Sequence, residues 1–156
     1  PDRNGVRTPM QWTSDENAGF SEAEPERFYT PVIQEVPYYP QQVNVADQVE
    51  NPNSLLNLIR HMIRTRKNNR ALSDGDFQWV DCANEAVAGY IRTSGKEQTL
   101  VLNNLSMEEQ VATFKLPLEI HRFANLLTDE PYTRNRKDGH DVIKLIPFEF
   151  IWLKIS

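Results

Sequence analysis

Cysteine is almost missing from this 156-residue chain. Cys82 stands alone, so no intrachain disulfide can form and nothing points to an oxidising compartment, which makes a reducing cytoplasm the expected setting. Glycine is scarce as well. With six glycines the chain holds no G-x-G-x-x-G and no G-x-x-x-x-G-K string, the loops whose backbone N–H groups cradle phosphates, so nucleotide binding is not expected. The three histidines, His61, His121 and His140, fall in separate segments, none at metal-ligand spacing with the cysteine or a carboxylate pair; no metal and no cofactor are expected. No G-x-S-x-G turn carries a nucleophile. Excess positive charge is lacking too: the net charge of -5 and the scattered basic residues argue against nucleic-acid or anionic-membrane partners, both of which are bound by displacing counterions. No run of about 18 apolar residues could span a bilayer, and no apolar signal core follows the opening Pro1-Asp2-Arg3-Asn4. Small neutral ligands remain.

What is present divides into three stretches. Up to about residue 50, prolines and glycines recur at positions 1, 5, 9, 19, 25, 31, 37 and 40 with polar residues between them, which reads as loop. Its aromatics, Trp12, Phe20, Phe28, Tyr29, Tyr38 and Tyr39, need a neighbour to bury them, and the start amid polar loop suggests a chain cut from something longer. A helix is predicted over 52–69, with Asn51-Pro52 as cap and first turn and an apolar stripe of Leu55, Leu56, Ile59, Met62 and Ile63. Arg64, Arg66, Lys67 and Arg70 crowd its end, where cations complement the helix dipole. That stripe needs a partner, and left uncovered it would favour self-association. From Gly75 the period becomes that of strands, predicted at Phe77 to Asp81, Ala86 to Thr93, Thr99 to Leu105, Gln110 to Leu116, Phe123 to Leu127, Val142 to Ile146 and Phe148 to Ile155. Ser94-Gly95-Lys96 reads as a hairpin turn and Arg136-Lys137-Asp138-Gly139 as the tip of a longer connection. The fold class is therefore mainly β, a Greek-key antiparallel sandwich over 73–156 after a long loop and one long helix within 1–72. At 156 residues the chain is too short for a complete (β/α)8 barrel of roughly 250.

Two chemical readings of these stretches are weak. The acidic cluster Asp15, Glu16, Glu22, Glu24 and Glu26 holds carboxylates enough for acid and base work on a glycosidic bond, but that chemistry needs two groups fixed within ångströms by rigid elements; a solvated acidic loop is expected instead. Asn104-Leu105-Ser106 matches a glycosylation acceptor and reads as a strand end turning into a loop.

One string stands apart: Arg7-Thr8-Pro9-Met10-Gln11-Trp12, preceded by Asp2-Arg3-Asn4-Gly5-Val6 and followed by Asn17-Ala18-Gly19-Phe20. Here the sequence resembles glycoside hydrolase family 13, in its trehalose synthase and α-glucosidase branch. The likeness runs on through Val43-Asn44-Val45, Gln48 and Asn51-Pro52-Asn53-Ser54-Leu55-Leu56-Asn57 into Arg60-His61-Met62-Ile63-Arg64-Thr65-Arg66-Lys67, which looks like the family's eighth barrel helix. The strands look like its domain C, with parallels at Asn103-Asn104-Leu105-Ser106 and Ile146-Pro147-Phe148-Glu149-Phe150-Ile151-Trp152-Leu153.

That resemblance implies an intact enzyme that retains configuration, with an Asp nucleophile, a Glu acid/base and a second Asp, all upstream of the stretch matched here. No catalytic residue is therefore expected in this chain, which would be structural by itself. One binding residue carries over: the family's arginine falls on Arg7 and is expected to hold hydroxyls of the terminal glucose, a task suited to a planar, always charged fork of donors; the plainer reading is that Arg7 braces the loop by pairing with an acid. The implied substrates are α-glucosides such as maltose or trehalose, interconverted by a trehalose-forming enzyme or hydrolysed by an α-1,4 or α-1,6 glucosidase. A stand-alone carbohydrate-binding sandwich is the rival from another class, and its mark would be exposed aromatics on one sheet face.

Overall fold

A computed structural model describes residues 7–117, 119, 120 and 122–156, so Asp2-Arg3-Asn4-Gly5-Val6 and His121 lie outside the described residues. The chain divides into two compact units, Pro1–His61 and Met62–Ser156.

The first unit is irregular up to residue 44, broken by 3-10 turns at Glu16–Gly19 and Pro25–Arg27. A short helix, α1 (Val45–Glu50), then forms where pattern alone predicts only loop. The cause is local: the Asn44 side chain accepts from the Asp47 amide at 2.9 Å and caps the first turn. The long helix, α2 (Leu55–Asn68), begins three residues later than the sequence suggests. Asn51 does not cap it. Asn51 instead closes α1, its N–H donating to the Asp47 carbonyl at 3.0 Å, and Ser54 caps α2 by accepting from the Asn57 amide at 3.2 Å. None of α2's fourteen residues is buried, and Leu55, Ile59 and Ile63 of the predicted stripe are exposed.

In the second unit a short helix, α3 (Arg70–Asp74), precedes, among the described residues, nine strands: β1 (Asp76–Val80), β2 (Val87–Ser94), β3 (Glu97–Asn104), β4 (Gln110–Phe114), β5 (Phe123–Asn125), β6 (Glu130–Tyr132), β7 (Arg136–Lys137), β8 (His140–Leu145) and β9 (Phe150–Ile155). They form two antiparallel sheets, a six-stranded one ordered β1-β2-β3-β9-β5-β6 and a three-stranded one ordered β4-β8-β7. The predicted β-sandwich is thus present, and each of its seven predicted strands overlaps an observed one. Strands β6 and β7 are additions too short to leave an alternating pattern. Gly95 takes φ +59 in the two-residue turn joining β2 to β3, while Asp138 and Gly139 take φ +50 and +80 between β7 and β8. Two successive positive φ values are the turn that matches the twist of a hairpin.

Leu100 and Leu102 of β3 meet Ile151 and Leu153 of β9 in register on one face, joining Ala112, Phe114, Ile143 and Leu145 of the smaller sheet in the core. Gly89 permits this closeness: a Cβ there would stand 2.4 Å from the Cys82 sulfur and 2.9 Å from Leu102. The opposite face of β3 is buried too, because α3 lies against β2 and β3 with Ala71 and Leu72 fully covered. Asn69 ties that contact, accepting from the Leu72 amide at 2.9 Å and from the Thr99 hydroxyl at 3.3 Å.

A buried ion pair closes the far side. Arg134 meets Asp141 through Nε at 2.5 Å and Nη2 at 3.0 Å, with side chains 11% and 1% exposed. Asp141 also accepts from the Leu116 amide at 3.1 Å, and Arg134 donates to the Ile120 carbonyl and stands over the Phe123 ring. The hydrogen bond to Asp141, outweighing the effect of burial, raises the guanidinium above its already high pKa.

Asp141→Asn should cost about 3–5 kcal/mol in urea unfolding of the strand region, since it leaves a largely buried guanidinium without its countercharge; a change under about 1 kcal/mol contradicts the clasp. Cys82 should be inert: burial, and secondarily the Asp81 charge, push its thiol up to about 11. At pH 8 only roughly a thousandth is thiolate, so a disulfide reagent should label it on unfolding and not before. Fast stoichiometric labelling of the native chain would contradict this.

Candidate functional site

The loop carrying Arg7 is held from both ends of its own unit. Its central carbonyls satisfy the free amides that begin α1: Val45 N–H donates to the Gln11 carbonyl at 2.9 Å and Ala46 N–H to that of Trp12 at 3.0 Å. The Gln11 side chain returns a hydrogen bond to the Val43 carbonyl at 2.5 Å. On the other side, the Trp12 and Thr13 amides both donate to the Ala18 carbonyl, at 2.9 and 3.1 Å. Ala18 sits in a left-handed run, Asn17, Ala18 and Gly19 at φ 53, 58 and 63. The Asn17 amide secures the run by donating to the Ser21 and Ala23 carbonyls at 3.1 and 3.0 Å. Gly19 is required there, since its φ disfavours a side chain and a Cβ would fall 2.7 Å from the Thr13 hydroxyl.

The residues that carry the family resemblance therefore act chiefly as fasteners. Asn44, 2% exposed, caps α1 and donates to the Pro40 carbonyl at 2.9 Å. Gln48 accepts from the Leu56 amide at 3.1 Å through its side chain, and its backbone carbonyl takes the Ser54 hydroxyl at 2.6 Å and the Asn57 amide at 2.9 Å.

Arg7 is exposed at a cleft of about 330 Å3, with Thr8, Phe20, Arg27, Phe28 and Tyr29 around it. Phe20 and Phe28 meet edge to face at 5.9 Å. No described acid pairs with Arg7; the ion pairs among the described residues are Arg134–Asp141 and Lys144–Glu109. The loop is braced by backbone and carboxamide hydrogen bonds, which leaves the guanidinium available. Arg27 beside it was not singled out by sequence reasoning, because twenty residues of irregular chain separate the two.

The weaker candidates disperse. Asp15, Glu16, Glu22, Glu24 and Glu26 are all exposed. Among the described residues no group of three metal-ligating side chains converges, and His140 bonds locally to the Asp138 carbonyl at 3.0 Å. Asn104 is buried and fully employed: its amide donates to the Glu108 and Ile146 carbonyls at 2.7 and 2.9 Å, and its oxygen accepts from Ser106. It binds the end of β3 to the following loop, as the strand-end reading holds.

A loop and helix lead into an antiparallel sandwich, and comparison with known proteins identifies the family. The family model for the α-amylase catalytic domain matches residues 2–75, and that for the maltogenic amylase C-terminal domain matches residues 77–152. The chain belongs to the α-amylase family, glycoside hydrolase family 13. It is 46% identical over 109 residues to a trehalose synthase of Pimelobacter, covering 67% of this chain and 19% of that protein. With a trehalose synthase/amylase of Mycobacterium tuberculosis it shares 40% identity over 142 residues, 89% of this chain and 22% of the relative. Among solved structures, the trehalulose synthase of Pseudomonas mesoacidophila superposes with a TM-score of 0.71 at 28% identity, over 96% of this chain and 25% of that one. The chain thus spans about a fifth to a quarter of each of these three proteins.

Asn44→Ala should destabilise the loop by about 1–2 kcal/mol through loss of the cap, read as faster hydrogen exchange at the amides of Val45, Ala46 and Asp47. Unchanged exchange there would show that Asn44 does not hold the segment.

Proposed function

We propose that this chain is the C-terminal part of a trehalose synthase, an enzyme that cleaves maltose by a retaining mechanism and rejoins the glucosyl unit as trehalose. In this reading residues 1–72 end the catalytic barrel and residues 73–156 form its C-terminal domain. The observation that carries it is the 46% identity to a trehalose synthase over two thirds of the chain.

The part each unit plays follows from its chemistry. The five acidic side chains Asp15, Glu16, Glu22, Glu24 and Glu26 are exposed, and Asp15 alone of them is held, by the Thr13 hydroxyl at 2.9 Å, so no fixed pair of carboxylates for a glycosidic bond resides there. The chain alone is structural. Arg7 acts in the whole enzyme as a sugar-holding residue: its charge is uncompensated by any described acid, and its loop is pinned independently of it, so the guanidinium can donate to glucose hydroxyls without first breaking an internal pair. The exposed faces of α2 and of the loop aromatics pack against the remainder of the barrel, and in the isolated chain they favour self-association. Among the described residues no helix is long and apolar enough to cross a membrane; a cytoplasmic setting remains part of the proposal, resting on the lone, buried cysteine.

Incubating the complete enzyme with maltose should give trehalose as the chief product; glucose alone would overturn the assignment in favour of a glucosidase. Arg7→Ala in that enzyme should lower kcat/KM for maltose roughly 10- to 100-fold, the loss of charge-assisted hydrogen bonds worth about 1.5–3 kcal/mol. An unchanged kcat/KM would return Arg7 to a bracing role.

A further inference from the structure

The cleft that holds Arg7 holds a second arginine, and that one has no structural task. Arg27 lies in the 3-10 turn Pro25–Arg27 and lines the same space of about 330 Å3. Its segment is fixed through the backbone: the Arg27 amide donates to the Glu24 carbonyl at 2.9 Å, the Phe28 amide to the Pro25 carbonyl at 3.1 Å, and the Ala23 carbonyl accepts from the Asn17 side chain at 3.0 Å. The guanidinium enters none of these bonds. It is exposed, pairs with no described acid and donates to no described carbonyl. An exposed arginine is ordinarily solvated surface, but two features of the surroundings set this one apart.

First, the cleft is basic within an acidic loop. No carboxylate lines it among the described residues, although Asp15, Glu16, Glu22, Glu24 and Glu26 crowd the same stretch of chain. Nothing in the cleft therefore competes for either guanidinium. Second, it contains polar and aromatic surface without an internal use. Thr30 is only 9% exposed, yet its hydroxyl makes no hydrogen bond, an arrangement that costs free energy unless water or a ligand completes it. Tyr29 stands 88% open beside it, and the Phe20 ring is held edge-on by Phe28 at 5.9 Å. Planar forks of donors, a free hydroxyl and ring faces suit a neutral molecule with many hydroxyls and apolar C–H faces, which describes glucose.

We infer that Arg27 holds the glucose set free when maltose is cleaved, while Arg7 holds the glucose that becomes attached to the enzyme; this rests on the trehalose synthase reading above. In that reaction O4 of the leaving glucose takes a proton as the glycosidic bond breaks, and the anomeric hydroxyl of the same glucose later attacks the glucosyl unit and gives up a proton. Between the two steps the freed sugar has no covalent tether, so it stays only as long as noncovalent contacts hold it while it turns from O4 to O1. A second guanidinium, carried on a different turn of the loop, supplies contacts that do not depend on Arg7. Arg27 is thus a specificity-determining residue: the longer it retains the sugar, the more turnovers end in trehalose and the fewer in hydrolysis.

The test uses the complete enzyme, with maltose as substrate and added glucose as inhibitor. Arg27→Ala should raise the inhibition constant for glucose at least about tenfold, the loss of a charge-assisted hydrogen bond, and should raise the glucose released per trehalose formed. Arg7→Ala should instead lower both products together. A bracing role would move neither readout but would lower Tm, which Arg27→Ala should leave in place because the side chain touches no described partner. Should the alanine form not fold, Arg27→Gln takes its place. An unchanged inhibition constant, or an unchanged product ratio in a trehalose-forming enzyme, would overturn the inference. So would inhibition by inorganic phosphate that the variant abolishes while glucose inhibition persists, which would assign the cleft to an anion. If the wild type forms glucose alone, the synthase reading fails by itself, and the inhibition constant still decides whether Arg27 holds the leaving glucose.

Discussion

Irregular chain can be held in one shape only if its backbone polar groups find partners, and in this protein carboxamide side chains supply them. Asn17, Asn44, Gln48, Asn57, Asn69 and Asn104 each bridge backbone groups that no helix or sheet ladder reaches. The choice of residue follows from the inventory of donors and acceptors. An ionised aspartate has nothing to donate to a carbonyl, and a lysine would bring a charge that burial penalises, whereas an amide offers both partners and no charge. Asn57 is the extreme case, its single amide nitrogen serving the carbonyls of Gln48, Val49 and Asn51 at 2.9, 3.2 and 2.8 Å.

This mode of fixation sets position well and stability poorly. A net contribution of about 1 kcal/mol per hydrogen bond does not replace the burial of apolar surface. In the Pro1–His61 unit the buried apolar side chains among the described residues are small ones, Pro9, Ala18 and Pro40, while Met10, Trp12, Phe20, Tyr29 and Tyr38 are exposed. The Met62–Ser156 unit is the reverse: two sheets enclose a continuous core from Cys82 to Ile155, and even the second face of β3 is covered. One unit has its own core; the other has a scaffold of polar bonds and an apolar surface still to be matched.

The difference also explains what could be read in advance. Strands with alternating apolar residues, such as β8 and β9, betray themselves by period, and the sandwich followed from them. Helix α1 did not, because six residues hold too little pattern and the signal lay in a single cap, Asn44. The misplaced start of α2 has the same origin: Asn51-Pro52 and Ser54 are both good openings, and only the hydrogen bonds from Asn51 back to α1 decide between them. Arg7 was reachable through the family string and by no period or spacing, since an exposed guanidinium in a loop leaves no periodic mark. The ring cluster of Phe77, Trp79 and Tyr90 left one, Phe77 and Trp79 at i and i+2 in a predicted strand, but Tyr90 joins it only through the register of β1 on β2.

Why that cluster is open follows from where α3 ends. The helix covers β2 and β3, pinned by Asn69 to Thr99, and stops at Asp74. Gly75, whose carbonyl takes the Arg92 guanidinium at 2.6 Å, then turns the chain into β1, two residues before Phe77. The segment that shields the sheet must itself become the next strand at its edge. Edge strands in soluble proteins are commonly short, charged or bulged, which discourages unwanted pairing; β1 is short, but it presents Phe77 and Trp79 outward. Bulky rings at such a place add nothing to the core, and their packing against one another is what limits the apolar area left in water.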